Sequence, residues 1–205
     1  MSTRITNLTY QPLTPERWID FEYLFGPRGA CGGCWCRWWK LTNADMEHMK
    51  GEGNRQAQKA FVDAGNMPGI LIYQGGLPIG WCAVEPRENY PRLERSRVLK
   101  PVDDKKVWSI TCFFVAKDFR QQGVTVHLLH AAIGHVSRQG GEILEGYPTD
   151  AITKTVPAAF VYTGLASAFR KAGFREVAKR SKSRPIFRYQ ITAQATGWTE
   201  DKTSS

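Results

Sequence analysis

The sequence predicts one α/β domain: a mixed, mostly antiparallel sheet of about seven strands, with a central parallel β-α-β unit and helices on both faces. Three observations lead there. A β-branched and aromatic run with almost no charge, "VWSITCFFV" at 107–115, reads as a buried central strand. It is followed by a stretch from Val124 to Arg138 whose apolar positions recur at helical spacing, and then by a strand-like "GEILEGY" at 141–147, so the pair is joined by a right-handed crossover. Elsewhere "GILIYQ" and "LPIGWCAVE" are joined by Gly75 and Gly76, a strong hairpin signal.

The remaining elements follow in order. "ITNLTYQPL" at 5–13 alternates as a first strand. In "TPERWIDFEYLFG", Thr14 is the expected N-cap, Pro15 the first helical residue and Gly26 the stop, with Trp18, Phe21, Leu24 and Phe25 on one face. Residues 43–64 are helical but carry Gly51 and Gly53, which predicts two short helices or one broken one. The proline-rich, charged stretch at 86–106 reads as a long loop and a candidate lid. After a looser stretch at 148–163, "GLASAFRKAG" is a short helix closed by Gly173, and "FREVAKR" with "RPIFRYQI" complete a second hairpin. The domain is expected over 1–192, with 193–205 a polar tail.

The bulk properties narrow the function. The chain has 205 residues, 42% hydrophobic and 23% charged, which suits an ordinary globular protein with a sizeable core. No signal peptide or membrane span is legible, and five cysteines, three of them in "CGGCWC", fit a reducing compartment, so a cytoplasmic location and no membrane partner are expected. The formal charge of +9 favours anionic partners, among them nucleic acid or a phosphorylated cofactor. Nucleic acid is disfavoured because the basic residues are scattered. Their densest group, "KRSKSR" at 179–184, is expected to turn a hairpin.

The turn "RQQGVT", Arg120 to Thr125, opens the long helix. A helix N-terminus presents unpaired N–H groups and about half a positive charge. Gly123 lets the backbone approach something bulky, so the N–H groups of Gln121, Gln122, Gly123, Val124 and Thr125 can wrap a diphosphate, assisted by the Arg120 guanidinium and the Thr125 hydroxyl. The Walker motif and the three-glycine dinucleotide fingerprint are both absent.

A "CFFV" strand, then "RQQGV", then a helix with "LL", a strand, and a second helix ending "FRKAGF" together resemble the GNAT superfamily of acyl-CoA-dependent N-acetyltransferases. Arg120, Gly123 and Thr125 occupy that family's Arg/Gln-x-x-Gly-x-Gly/Ala loop, and Gly173 with Phe174 its later Gly-Phe. The resemblance implies direct transfer of an acetyl group from acetyl-CoA to an amine, with no metal expected. It implies that the fourth and fifth strands splay, the pantetheine pairing in the gap with main-chain groups of Phe114 and Val115. The partner it implies is a small-molecule or peptide amine, with a homodimer left open.

The chemistry asks for a base, because an alkyl ammonium of pKa about 10.4 must lose its proton, at a cost of roughly 4 to 5 kcal/mol at pH 7. Glu145 is the first candidate and Glu85 the second, each with a solvated strand-end carboxylate as the simpler reading. Where the family often places a proton-donating tyrosine, this chain has Phe169, and the family's frequent asparagine near the start of the same helix is also missing. Tyr162 and Tyr147 are the candidate replacements, unless coenzyme A leaves as a thiolate. Trp35, Trp38 and Cys34 in "CGGCWCRWW" are expected to border the acceptor pocket, or the tryptophans to anchor the loop to the core. Cys31 and Cys34 have zinc-knuckle spacing without a second pair, so no metal site is assigned. His127, His130 and His135 are expected to be structural or at the surface, and Cys82 and Cys112 to be small buried hydrophobes.

Overall fold

The computed structural model describes residues 5–150 and 161–192; the tail expected at 193–205 lies outside them. The strands are β1 (Leu8–Pro12), β2 (Gly69–Gln74), β3 (Leu77–Pro86), β4 (Trp108–Val115), β5 (Ile143–Gly146), β6 (Arg175–Lys179) and β7 (Pro185–Gln190), and the helices α1 (Trp18–Phe25), α2 (Asn43–Met49), α3 (Glu52–Asp63), α4 (Pro91–Glu94), α5 (Val124–Arg138) and α6 (Ala166–Lys171). They form one seven-stranded sheet in the order β1-β2-β3-β4-β5-β7-β6. Only β4 and β5 run parallel.

Both faces are covered. On one, α5 lays Val124, Leu128, Leu129, Ala132 and Val136 against Ile70, Ile72, Val84, Ile110 and Leu144 of the sheet, with Phe169 and Phe174 filling the end near α6. On the other, α1 and the loop after it bring Trp18, Phe21, Phe25 and Trp35 onto Leu71, Trp81 and Ala83. Strands buried on both faces need not alternate, which is why β2 and most of β3 are apolar on successive residues.

Local signals explain most boundaries. Gly75 and Gly76 both have positive φ, the requirement of a two-residue turn whose twist matches the strands it joins. The helical stretch at 43–64 is two helices, broken between Met49 and Glu52, and the first is closed by a capping box in which Thr42 and Asp45 each hold the other's backbone N–H. Thr14 departs from expectation. It precedes a single 3-10 turn, Pro15–Arg17, without a side-chain cap, and its hydroxyl accepts from Arg17 Nη1 at 3.2 Å.

The stretch at 86–106 is a docked flap, not a lid. Tyr90, Leu93 and Leu99 are buried against Trp39, Tyr147 and Ile186. Arg87 Nη2 donates to the Leu99 carbonyl at 2.7 Å, Arg188 Nη1 meets Asp103 Oδ2 at 2.7 Å, and Arg180 donates to the carbonyls of Lys100 and Pro101. Arg188 of β7 and Arg180 of the β6–β7 turn lie too far along the chain for local composition to reveal.

His135 is buried on α5 with its ring edge-on to Trp108 at 6.2 Å, and among the described residues its Nε2 has no hydrogen-bond partner. Burial, with Arg138 adding to it, pushes its pKa down from 6.5 to about 4. The unfolded chain therefore binds the proton first as pH falls. Stability from this group is whole above pH 6.5 and drains as pH drops towards 4, by about 3 kcal/mol. Denaturant titrations at pH 7 and pH 4 are expected to show that much less acid destabilisation in His135→Leu than in the parent.

Candidate active site

The turn before α5 is open to an anion. Gly123, at φ 85°, takes the left-handed conformation just ahead of the helix, and no side chain caps it. Gln121 is also left-handed, at φ 61°. The two kinks turn successive N–H groups outward. Among the described residues, those of Gln121, Gln122, Gly123, Val124 and Thr125 donate to no backbone carbonyl outside the helix and to no side chain, and the first turn of α5 holds no acidic residue. A Cβ built on Gly123 would meet nothing within 4 Å, so the glycine serves backbone conformation and leaves the approach clear. The Val124 side chain is buried under the helix while the Gln121 and Gly123 positions are exposed.

Beside that turn the sheet opens. β5 pairs with β4 only over Trp108, Ser109 and Ile110, yet β4 continues to Val115. Ala116 N donates to Ile79 O on the β3 side, and Phe113 N donates away from it, to the Tyr162 carbonyl at 2.6 Å. Antiparallel alternation therefore turns the main-chain groups of Phe113 and Val115 towards the gap and those of Phe114 towards Trp81 on β3. This corrects the assignment of Phe114 as a main-chain partner; its ring, not its backbone, faces the site. The Val115 carbonyl accepts from Arg120 Nε at 2.9 Å, which ties the anion turn to the edge of the gap.

On the α1 face of β4 lies a cavity of about 470 Å³. Cys112 and Phe114 of β4 line it with Phe25, Cys34, Trp38, Trp39, Tyr162 and Arg184, while the Phe113 side chain packs on the α5 face. Trp38 and Cys34, two of the three residues expected to border an acceptor pocket, line this cavity. Trp35 does not. It is buried, stacked with Phe25 at 5.9 Å and Trp18 at 6.4 Å, and Gly29 has no Cβ because one would lie 2.3 Å from its Nε1. Positive φ at Trp35 and Cys36 produces this arrangement: the chain reverses there, sending Trp35 into the core and Trp38 to the cavity, where Arg92 stacks on its ring at 3.9 Å.

The two carboxylates expected to act as bases have other work. Glu145 is wholly buried: Arg87 Nη1 reaches Oε1 at 3.0 Å, Arg188 Nε reaches Oε2 at 2.7 Å, and the Tyr147 hydroxyl donates to Oε1 at 2.7 Å. Glu85 is buried against Lys40, with Asn89 Nδ2 donating to its other oxygen at 2.9 Å. Neither lines the cavity. Two guanidinium groups and the Tyr147 hydroxyl hold this buried carboxylate away from the cavity, so the geometry makes Glu145 a structural ion. Tyr147 goes with it, its hydroxyl also bonded to Arg87 and Ser109.

Tyr162 is the candidate the cavity keeps. Burial, above all, raises its phenol pKa, so it carries its proton at neutral pH. Phe169 is a core residue among Phe113, Phe174 and Phe187. Sequence reasoning missed Arg184, Phe25, Met46, Glu47 and Lys50 as lining residues. They come from α1, from α2 and the residue after it, and from the β6–β7 turn, and no motif links them.

The cysteines line this region without forming a metal site. All five are free, and among the described residues no three His, Cys, Asp or Glu side chains group to hold an ion. Cys36 Sγ accepts from Trp81 Nε1 at 3.0 Å, and burial pushes the Cys34 thiol up to about 11. Cys82 is fully buried as expected, whereas Cys112 is half-buried on the cavity floor.

The family model of the acetyltransferase (GNAT) family matches residues 35–150, and the chain belongs to that family. A GNAT-family acetyltransferase structure from Listeria monocytogenes is similar with a TM-score of 0.55 at 9% identity, covering 92% of this chain and 100% of that one. A second, from Desulfovibrio desulfuricans, gives 0.52 at 13%, covering 91% and 100%. The NatC complex bound to Gag peptide and CoA gives 0.50 at 11%, covering 91% and 100%. No curated protein matches the sequence. Among the described residues no helix is long and apolar enough to cross a membrane.

Proposed function

We propose that this protein is an N-acetyltransferase that moves an acetyl group from acetyl-CoA directly to the primary amine of an acceptor. The observation that carries the reading is the row of N–H groups from Gln121 to Thr125, without a partner among the described residues and placed where β4 parts from β5. These donors and the helix dipole hold the diphosphate, with the Arg120 side chain beside them. Val115 offers its outward N–H to the pantetheine. Family membership supports the cofactor, as does the CoA held in the similar NatC complex.

Bound acetyl-CoA supplies the acetyl group as a thioester, which the acceptor nitrogen attacks. The protein's part is to exclude water with the aromatic walls, to align the amine over Cys112 and Phe114, and to hold a proton on Tyr162 for the departing sulfur. No described carboxylate lies on the inner wall, so the amine sheds its proton to water, with Glu47 at the rim the only acid near. The free cysteines support work in a reducing cytoplasm.

Calorimetric titration with acetyl-CoA tests the cofactor, and thiol release with a panel of amines tests turnover. Absence of binding at millimolar acetyl-CoA would overturn the reading. Phe169 favours one rival, a catalytically silent acyl-CoA sensor, which binding without thiol release would establish. Tyr162→Phe is expected to lower kcat at least about tenfold while acetyl-CoA affinity changes less than about twofold; an unchanged kcat would remove Tyr162 as the proton donor.

A further inference from the structure

We propose that the acceptor is a small amine with an aromatic or branched apolar body that also carries a carboxylate, bound by Arg184. The inference rests on the transferase reading above and narrows it to one substrate class.

The walls argue for the body. Phe25, Trp38, Trp39, Met46 and Phe114 line a space of about 470 Å³, which suits an amino-acid-sized molecule beside the end of the pantetheine. Aromatic walls reward apolar surface, and the cation seat on the Trp38 ring is already taken by Arg92 at 3.9 Å.

The charges argue for the anion. The charged lining residues among those described are Lys50, Arg184 and Glu47, two cations to one anion. An acceptor with several ammonium groups needs several carboxylates, and the two buried ones nearest in sequence to β4 pairing, Glu85 and Glu145, are already held by Lys40, Arg87 and Arg188. The overall charge of +9 repels polycations further. Arg184 stands just before β7 and is half-buried; Nη1 donates to Thr163 Oγ1 at a long 3.4 Å, and no described carboxylate pairs with it. Its fork matches a carboxylate in two parallel hydrogen bonds, at the end of the cavity that Tyr162 also lines. With the carboxylate there, the apolar body lies along Trp38 and Phe114. Glu47 at the rim faces the remaining positive charge of the incoming amine.

The test is thiol release from acetyl-CoA by the full-length protein with four acceptors: phenylalanine, phenethylamine, spermidine, and a dipeptide amide with N-terminal phenylalanine. The expected order puts phenylalanine at least about tenfold above phenethylamine in kcat/KM, since the two differ only by the carboxylate. Arg184→Gln is expected to raise KM for phenylalanine about tenfold, to shift KM for phenethylamine far less, and to leave acetyl-CoA affinity by calorimetry within about twofold. Preference for spermidine or the dipeptide amide, or an equal effect of Arg184→Gln on both aromatic amines, would overturn the assignment. Failure of acetyl-CoA to bind would sink the transferase reading itself. Binding with slow acetyl-CoA hydrolysis, but no acetylation of phenylalanine, would sink the acceptor class alone.

Discussion

Replacing Glu145 by alanine is expected to lower the unfolding free energy by about 3 to 5 kcal/mol, the cost of leaving buried guanidinium groups without their counter-ion. Arg87 and Arg188 approach its two oxygens at 3.0 and 2.7 Å, and the Glu145 carboxylate has no exposure to water. Through Arg87 the network reaches Glu94 and the Leu99 carbonyl, and through Arg188 it reaches Asp103, so the same carboxylate pins the flap at 86–106. In a domain of this size the loss corresponds to a fall in Tm of roughly 10 °C. Below that temperature the folded fraction should keep its kcat. A variant as stable as the parent but slow in turnover would restore Glu145 as a base and refute the structural role.

Gly123→Asp is expected to weaken acetyl-CoA binding at least about tenfold, a loss of about 1.4 kcal/mol or more, with little change in stability. Two effects on the fold oppose each other. Positive φ strains any residue with a Cβ, though aspartate tolerates it better than most, and its carboxylate at a helix N-terminus gains from the dipole and the unpaired N–H groups. The space around Gly123 is open, so no clash adds to the cost. That same carboxylate occupies the donors a diphosphate needs and repels its charge. Gly123→Ala, which adds strain without charge, should retain more of the affinity. Calorimetry on the three proteins separates the effects; equal affinity in the parent and the aspartate variant would count against the anion site.

The parts of the fold that could be read from sequence are those encoded locally. Val124, Leu128, Ala132 and Val136 announce α5, the Gly75-Gly76 pair announces a hairpin, and Gly123 announces the turn, because each needs only neighbours a few residues away. What escaped depends on groups that meet only after folding. The charged look of 86–106 suggested a solvated loop, but Arg87 pairs with Glu145, Asp103 with Arg188, and the Lys100 carbonyl accepts from Arg180, all partners distant in sequence. A glutamate near a strand end looks the same whether it faces a substrate or two arginines. Trp35 and Trp38 sit in one nonapeptide, and only the left-handed residues between them decide which is core and which is wall. Arg184 lies in a basic cluster whose composition signals nothing beyond a turn.

The most direct test of the central claim is a crystal structure of the protein with acetyl-CoA bound. The account predicts diphosphate oxygens within about 3.2 Å of several N–H groups between Gln121 and Thr125, with the pantetheine running through the gap between β4 and β5. A diphosphate bound elsewhere, with those N–H groups still facing solvent, would contradict it.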